Sequence, residues 1–143
     1  MDAEEVGLRY LELAHRVRRA VDERMVGAGL SLARTKTLRV LADRGPLRQA
    51  ELAAESGTAP RSVTQAVEAL ERDGLVERAP DPDDGRAKIV ALTAAGTAAL
   101  ASGTDAGNEA LRGIFGGLGE EGLAALADLL DALAARTPPP AGP

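Results

Sequence analysis

The sequence predicts a mainly α-helical protein with a small β-wing, and three observations carry that prediction. Apolar residues recur at three-and-four spacing along most of the 143 residues, the period of a buried helix face. That period is lost only around Val76 and between Val90 and Leu92, on either side of Pro80-Asp81-Pro82-Asp83-Asp84-Gly85, a stretch that cannot be helix. The excess of alanine reads as helix-rich composition.

The first helix carries two apolar stripes. Val6, Tyr10, Leu13, Val17 and Val21 form one, and Leu8, Leu11 and Ala14 lie beside it, so this helix has two neighbours to satisfy, its own domain and a partner chain. Gly27-Ala28-Gly29 ends it. Ser31 then caps a helix to about Asp43, with Leu32, Leu38 and Leu41 inward, and Gly45-Pro46 closes it. From Leu47 to Ser56 the chain reads as a third helical run with Leu52 and Ala53 inward. Gly57 supplies the sharp turn, because a residue without a side chain tolerates positive φ. Pro60 opens a fourth helix at the position where its missing N–H is harmless, and Val63, Ala66, Val67 and Leu70 mark its buried face to Arg72. Asp73-Gly74 ends that helix, and the strands Leu75–Arg78 and Ala87–Leu92 flank the Pro/Asp/Gly turn. Helix, turn, helix, strand, wing, strand is the order of a winged helix-turn-helix, a shape that reads DNA.

Thr93 is the N-cap candidate of a helix running to about Phe115. Gly96, Gly103 and Gly107 in its interior each cost about 1 kcal/mol against alanine, so this helix depends on tertiary packing and is where bending is expected. Gly113, Gly116, Gly117 and Gly119 interrupt the chain before Glu120-Glu121, acids suited to a helix N-terminus. The last helix has Leu123, Leu126, Leu130 and Leu133 as its seam. The expected organisation is one domain over 1–143, with a winged helix-turn-helix at 31–92, dimerisation helices at 1–29 and 93–136, and a disordered tail at 137–143.

At these residues the sequence resembles the MarR family of bacterial transcriptional regulators. The matching pieces are Arg61-Ser62-Val63-Thr64-Gln65, Leu70-Glu71-Arg72-Asp73-Gly74-Leu75-Val76-Glu77-Arg78, the wing Asp81-Pro82-Asp83-Asp84-Gly85-Arg86, and Leu92-Thr93-Ala94-Ala95-Gly96. Their order and spacing make the resemblance specific, and a looser likeness runs from Leu11 to Leu133. The resemblance implies a homodimer whose winged units bind double-stranded DNA at a pseudo-palindromic operator and often respond to a small molecule. It also implies that Arg86 enters the minor groove and that Asp84 holds its guanidinium in place. One departure is Ala59, where the family usually has Ser or Thr as N-cap; Thr58 is the alternative cap, which would shift the helix start by one residue.

Charge and composition bound the partners. The net charge of −5 disfavours nucleic acid on its face, yet residues 31–92 carry ten Lys/Arg and ten Asp/Glu, so the whole acidic excess lies in the terminal helices. Modest nonspecific DNA affinity is the expectation. With no cysteine the chain has neither a disulfide framework nor a thiol switch, which removes the peroxide-sensing branch of the family. No apolar run reaches the length of a membrane span, and the acidic start is unlike a signal peptide, so a cytoplasmic location without membrane contact is expected.

Chemistry beyond recognition finds few groups. One histidine and no cysteine leave no ordinary zinc site, the Asp81, Asp83, Asp84 cluster lacks a calcium loop's ligand series, and no phosphate-binding glycine loop is present. No catalytic residues, cofactor or metal are expected. Arg61, Ser62, Thr64 and Gln65 are instead the candidate base-reading groups behind Pro60, with Arg48 and Lys88 as phosphate contacts. Leu8, Leu11, Leu123, Leu126, Leu130 and Leu133 are the expected dimer contacts. Tyr10, His15 and Met25 are candidate lining for an aromatic or phenolic effector. The competing function is a winged-helix protein-interaction module without DNA binding, which the acidic total favours and the polar recognition face opposes.

Overall fold

The computed structural model describes residues 1–139. The elements follow in the order α1 (Ala3–Gly27), α2 (Leu32–Arg44), β1 (Leu47–Arg48), α3 (Gln49–Ser56), α4 (Pro60–Arg72), β2 (Val76–Pro80), β3 (Lys88–Leu92), α5 (Ala94–Phe115) and α6 (Gly119–Arg136), with a 3-10 turn at Gly116–Leu118 before α6. Of the tail expected at 137–143, residues 140–143 lie outside the described residues, and α6 ends at Arg136.

Local chemistry sets most of these boundaries. Asp2 accepts the Glu5 N–H while Glu5 returns to the Asp2 N–H, a reciprocal cap that starts α1. Ser31 accepts from the Arg34 N–H to start α2, and Asp22 of α1 accepts the Leu32 N–H at 2.8 Å, which ties that helix start to α1. Gly57 has φ 61°, the left-handed conformation anticipated between α3 and α4. The start of α4 differs from the capped form: its N-cap is Ala59 with no side-chain cap, and the Thr58 hydroxyl donates to the Ser56 carbonyl instead. Pro60 at the first helical position offsets this, since it has no N–H to satisfy.

The sheet has three strands rather than the two of the expected ribbon. Its order is β1-β3-β2, all antiparallel, with Leu47 opposite Val90, Arg48 opposite Ile89, and Val76 opposite Leu92. Leu47 and Arg48, read from sequence as the start of a helix, are a two-residue strand because β3 offers them backbone partners. The main core lies where this sheet meets α2, α3, α4 and α5, around Leu38, Leu52, Val67, Leu70, Val76 and Val90. Each such side chain contributes about 1.5 to 3 kcal/mol by leaving water.

Glycines seat α5 against this unit. A Cβ on Gly96 would lie 2.0 Å from the Leu75 carbonyl oxygen, and one on Gly103 or Gly107 would press on Leu30 or on the Met25 sulfur. All three are buried on one face of a helix that runs unbroken from Ala94 to Phe115. Their loss of helix propensity is thus balanced by close approach. A second, smaller core of Val21, Met25 and Ala110 joins α1 to α5. The N-terminal half of α1 has no buried residue, and neither has α6.

Candidate nucleic-acid interface

The amphipathic division of α4 builds the first part of the site. Val63, Val67 and Leu70 face the core, which turns Pro60, Arg61, Ser62 and Gln65 outward in the opening turns, all exposed. Thr64 is half-buried and committed: its hydroxyl donates to the Pro60 carbonyl at 3.0 Å and accepts from Gln49 Nε2 at 2.8 Å. A hydroxyl has one proton, so Thr64 keeps only acceptor capacity for a base edge. Gln49, at the start of α3, is the residue sequence reading missed; its link to α4 spans fifteen positions of chain and has no local signature.

The wing is the second part, and its carboxylates hold backbone. Asp81 accepts the Asp83 N–H at 2.9 Å and the Asp81 N–H donates to the Ala87 carbonyl. Asp84 accepts the backbone N–H of Arg86 at 3.1 Å. The resemblance implies a grip on the guanidinium, but what Asp84 holds is the main chain at Arg86; the side chain itself stays exposed. These bonds make the three aspartates a wired turn, and among the described residues no group of three or more His, Asp or Glu is placed to hold a metal.

Several cations of the winged unit are spent internally. Arg34 pairs with Asp73, Arg44 with Glu55 and Arg78 with Glu71. The Arg78 hydrogen bond holds the Glu71 carboxyl below its usual range, and Glu71 in turn raises Arg78 further. Arg48, expected on phosphate, lies with Nε 2.5 Å from Asp81 Oδ2. The Asp83 N–H and then the Arg48 charge pull Asp81 below the ordinary aspartate value. Arg61, Arg86 and Lys88 take part in no ion pair among the described residues, and all three are exposed. A segment that is neutral in total therefore presents cations free of direct ion pairs at the start of α4 and on the wing, where the exposed Asp83 and Asp84 lie beside Arg86.

The remaining candidates divide. Leu8, Leu11, Leu123, Leu130 and Leu133 are exposed, Leu8 at 68% and Leu11 at 63%, and Leu126 is half-buried. Leu123, Leu126 and Leu130 line an open apolar groove with Leu111 and Phe115 of α5. Tyr10 and His15 are exposed on α1, but Met25 is 3% exposed and packed against Gly107. Tyr10 and Met25 stand roughly 22 Å apart along the helix at 1.5 Å per residue. The three do not form one pocket within a single chain, because Met25 is needed as core between α1 and α5.

No helix among the described residues is long and apolar enough to cross a membrane. A model of the MarR family matches residues 30–88. An HTH-type transcriptional regulator of Mycobacterium bovis is 32% identical over 81 residues, 57% of each chain. The HTH-type transcriptional repressor NicR of Pseudomonas putida is 42% identical over 64 residues, 45% of this chain and 40% of its own. These matches span about half the length of the curated relatives. A solved structure, described as a "probable transcriptional regulator" from Pseudomonas aeruginosa, is 30% identical with a TM-score of 0.71, covering 90% of this chain and 96% of that one.

Proposed function

Since the chain belongs to the MarR family of transcriptional regulators, we propose that it is a homodimeric repressor that binds a pseudo-palindromic operator in double-stranded DNA and is released by a small aromatic or phenolic effector. The single observation behind the DNA partner is where cations without an ion pair among the described residues fall: Arg61 opens the exposed face of α4, and Arg86 and Lys88 stand exposed on the wing. In this reading the first turns of α4 enter the major groove, where Arg61 and Gln65 reach base edges, Ser62 adds a hydroxyl and Thr64 an acceptor. Pro60 sets the start of that helix. Arg86 enters the minor groove, Asp84 holds the backbone that carries it, and Lys88 and Arg48 contact phosphates.

The dimer in this proposal joins the N-terminal half of α1, with Leu8 and Leu11, to the α5–α6 groove and the Leu123, Leu126, Leu130, Leu133 seam of the partner. Exposed apolar surface of that extent on the first and last helices supports it. Residues 1–29 and 93–136 then serve dimerisation and 31–92 reading, and a cytoplasmic location goes with the DNA partner. The effector would meet Tyr10 and His15 on α1, with the partner chain completing the pocket; Met25 supports that site from the core. An effector releases the operator only by binding the other conformation better.

Selecting bound fragments from genomic DNA and measuring gel shifts on the recovered sequence tests the whole. Arg61→Ala or Gln65→Ala should cost about 1 to 3 kcal/mol on that duplex and relax discrimination at one base pair. A wild-type protein that recovers no fragment and shifts none favours the protein-interaction module.

A further inference from the structure

Asp81 is the most deeply buried charged group among the described residues, and a folded turn alone does not account for it. Its side chain is 4% exposed, and carboxylates are seldom so buried unless paired. One oxygen, Oδ1, accepts the Asp83 N–H and so closes the wing turn. An uncharged asparagine could do that. The other, Oδ2, is given to Arg48, whose Nε lies at 2.5 Å. Arg48 sits in β1 opposite Ile89, immediately before α3, so this pair joins the wing to the start of the helix-turn-helix. The Arg48 side chain is itself 45% exposed and has no second ionic partner among the described residues.

We propose that Asp81 is a positioning residue for the Arg48 phosphate contact: the buried carboxylate grips the guanidinium at its Nε edge and leaves the Nη edge aimed at the DNA backbone. The inference rests on the DNA-binding reading and adds a residue to it. A guanidinium has five N–H groups in a rigid fork, and an ion pair made on its Nε side leaves the four N–H groups of the Nη atoms for a bidentate bond to phosphate. Arginine is rich in rotamers, and ordering it before DNA arrives removes that ordering from the binding step. The lowered pKa of Asp81 keeps the carboxylate charged throughout the neutral range.

The effect has an unusual sign, which makes it testable. Asp81→Asn retains an acceptor for the Asp83 N–H and removes a negative charge near DNA, so electrostatics alone would strengthen binding. Positioning predicts the reverse. Affinity is measured by fluorescence anisotropy across a salt series, on the selected operator duplex and on a scrambled one. Arg48→Ala should weaken both duplexes alike and lower the slope of log affinity against log salt by about 0.9, one phosphate contact. Asp81→Asn should weaken both and lower the slope in the same direction, and should cause no further loss in the Arg48→Ala background, where only the electrostatic gain remains. Unchanged or stronger binding by Asp81→Asn overturns the inference. So does an equal loss with and without Arg48, which would assign Asp81 to general support of the wing. Wild-type protein that binds neither duplex overturns the DNA-binding reading itself, and the inference with it.

Discussion

At the scale of single residues, the wing arginine and three carboxylates make separable predictions. Arg86 is exposed and makes no side-chain bond among the described residues, so Arg86→Ala should change stability by no more than about 0.5 kcal/mol. In a minor groove, which is narrowest and most negative at A·T-rich steps, the same side chain would be far more valuable. Operator binding by Arg86→Ala should therefore fall most for A·T-rich flanks, read by anisotropy at one fixed salt concentration; wild-type affinity on both flanks would remove Arg86 from the interface. Asp84→Ala should give a weaker form of the defect by releasing the Arg86 backbone. Glu71 and Asp81 predict acid sensitivity. Hydrogen bonding from Arg78 lowers Glu71, and the Asp83 N–H lowers Asp81. A carboxyl whose pKa is depressed on folding stabilises the folded chain above the ordinary carboxylate value, about 4, and that contribution disappears as pH falls through the folded value. Glu71→Gln should thus be less stable at neutral pH and lose less between neutral pH and pH 3 in urea titrations. A parallel acid limb in both proteins would remove Glu71 from that account.

At the scale of elements, the start of α5 is the most constrained joint. Thr93 donates its hydroxyl to the Gly74 carbonyl at 2.6 Å and accepts the Gly96 N–H, while the Leu75 carbonyl receives the Thr93 N–H. Gly96 lies over that same Leu75 carbonyl. A methyl there would overlap a backbone oxygen that the Thr93 bond holds in place, so α5 has to move as a unit. Gly96→Ala should destabilise by about 1 to 3 kcal/mol or more. Gly113, in the same helix, has nothing within 4 Å of where its Cβ would be, and Gly113→Ala should gain up to about 1 kcal/mol. Urea midpoints of the two variants check the contrast, and a destabilised Gly113→Ala would indicate a close neighbour from a second chain. The glycines of α5 were visible in the sequence as weak helix formers. Their packing role was not, because it depends on Leu75, Leu30 and Met25 arriving from other elements.

At the scale of the molecule, apolar surface is distributed unevenly. The winged unit buries its leucines and valines, whereas Leu8, Leu11, Leu13, Leu123, Leu129, Leu130 and Leu133 on the terminal helices remain exposed. Charged side chains between the apolar residues of α1 and α6 suit helices that are solvated on one face and covered on the other. Leu126→Asp combined with Leu130→Asp puts two carboxylates into the α5–α6 groove. Light scattering on the eluting protein should show monomer, or the protein should become insoluble; a soluble folded dimer would move the interface elsewhere. Loss of the dimer should also cost operator affinity, because two half-sites could no longer be engaged together.

The sequence by itself determined the helices, the caps at Ser31 and Thr93, the Gly57 turn, the place of the wing and the outward face of α4. Each of these depends on periodicity or backbone preference within a few neighbouring residues, which a chain carries wherever it folds. Tertiary structure alone decided that Leu47-Arg48 is a strand, since two residues become one only when β3 supplies hydrogen-bond partners about forty positions away. It also decided that Asp81 is buried on Arg48, that Thr64 is held by Gln49, and that Met25 is core beside Gly107. Those outcomes depend on which elements meet and how closely, and no local pattern in the chain encodes the meeting.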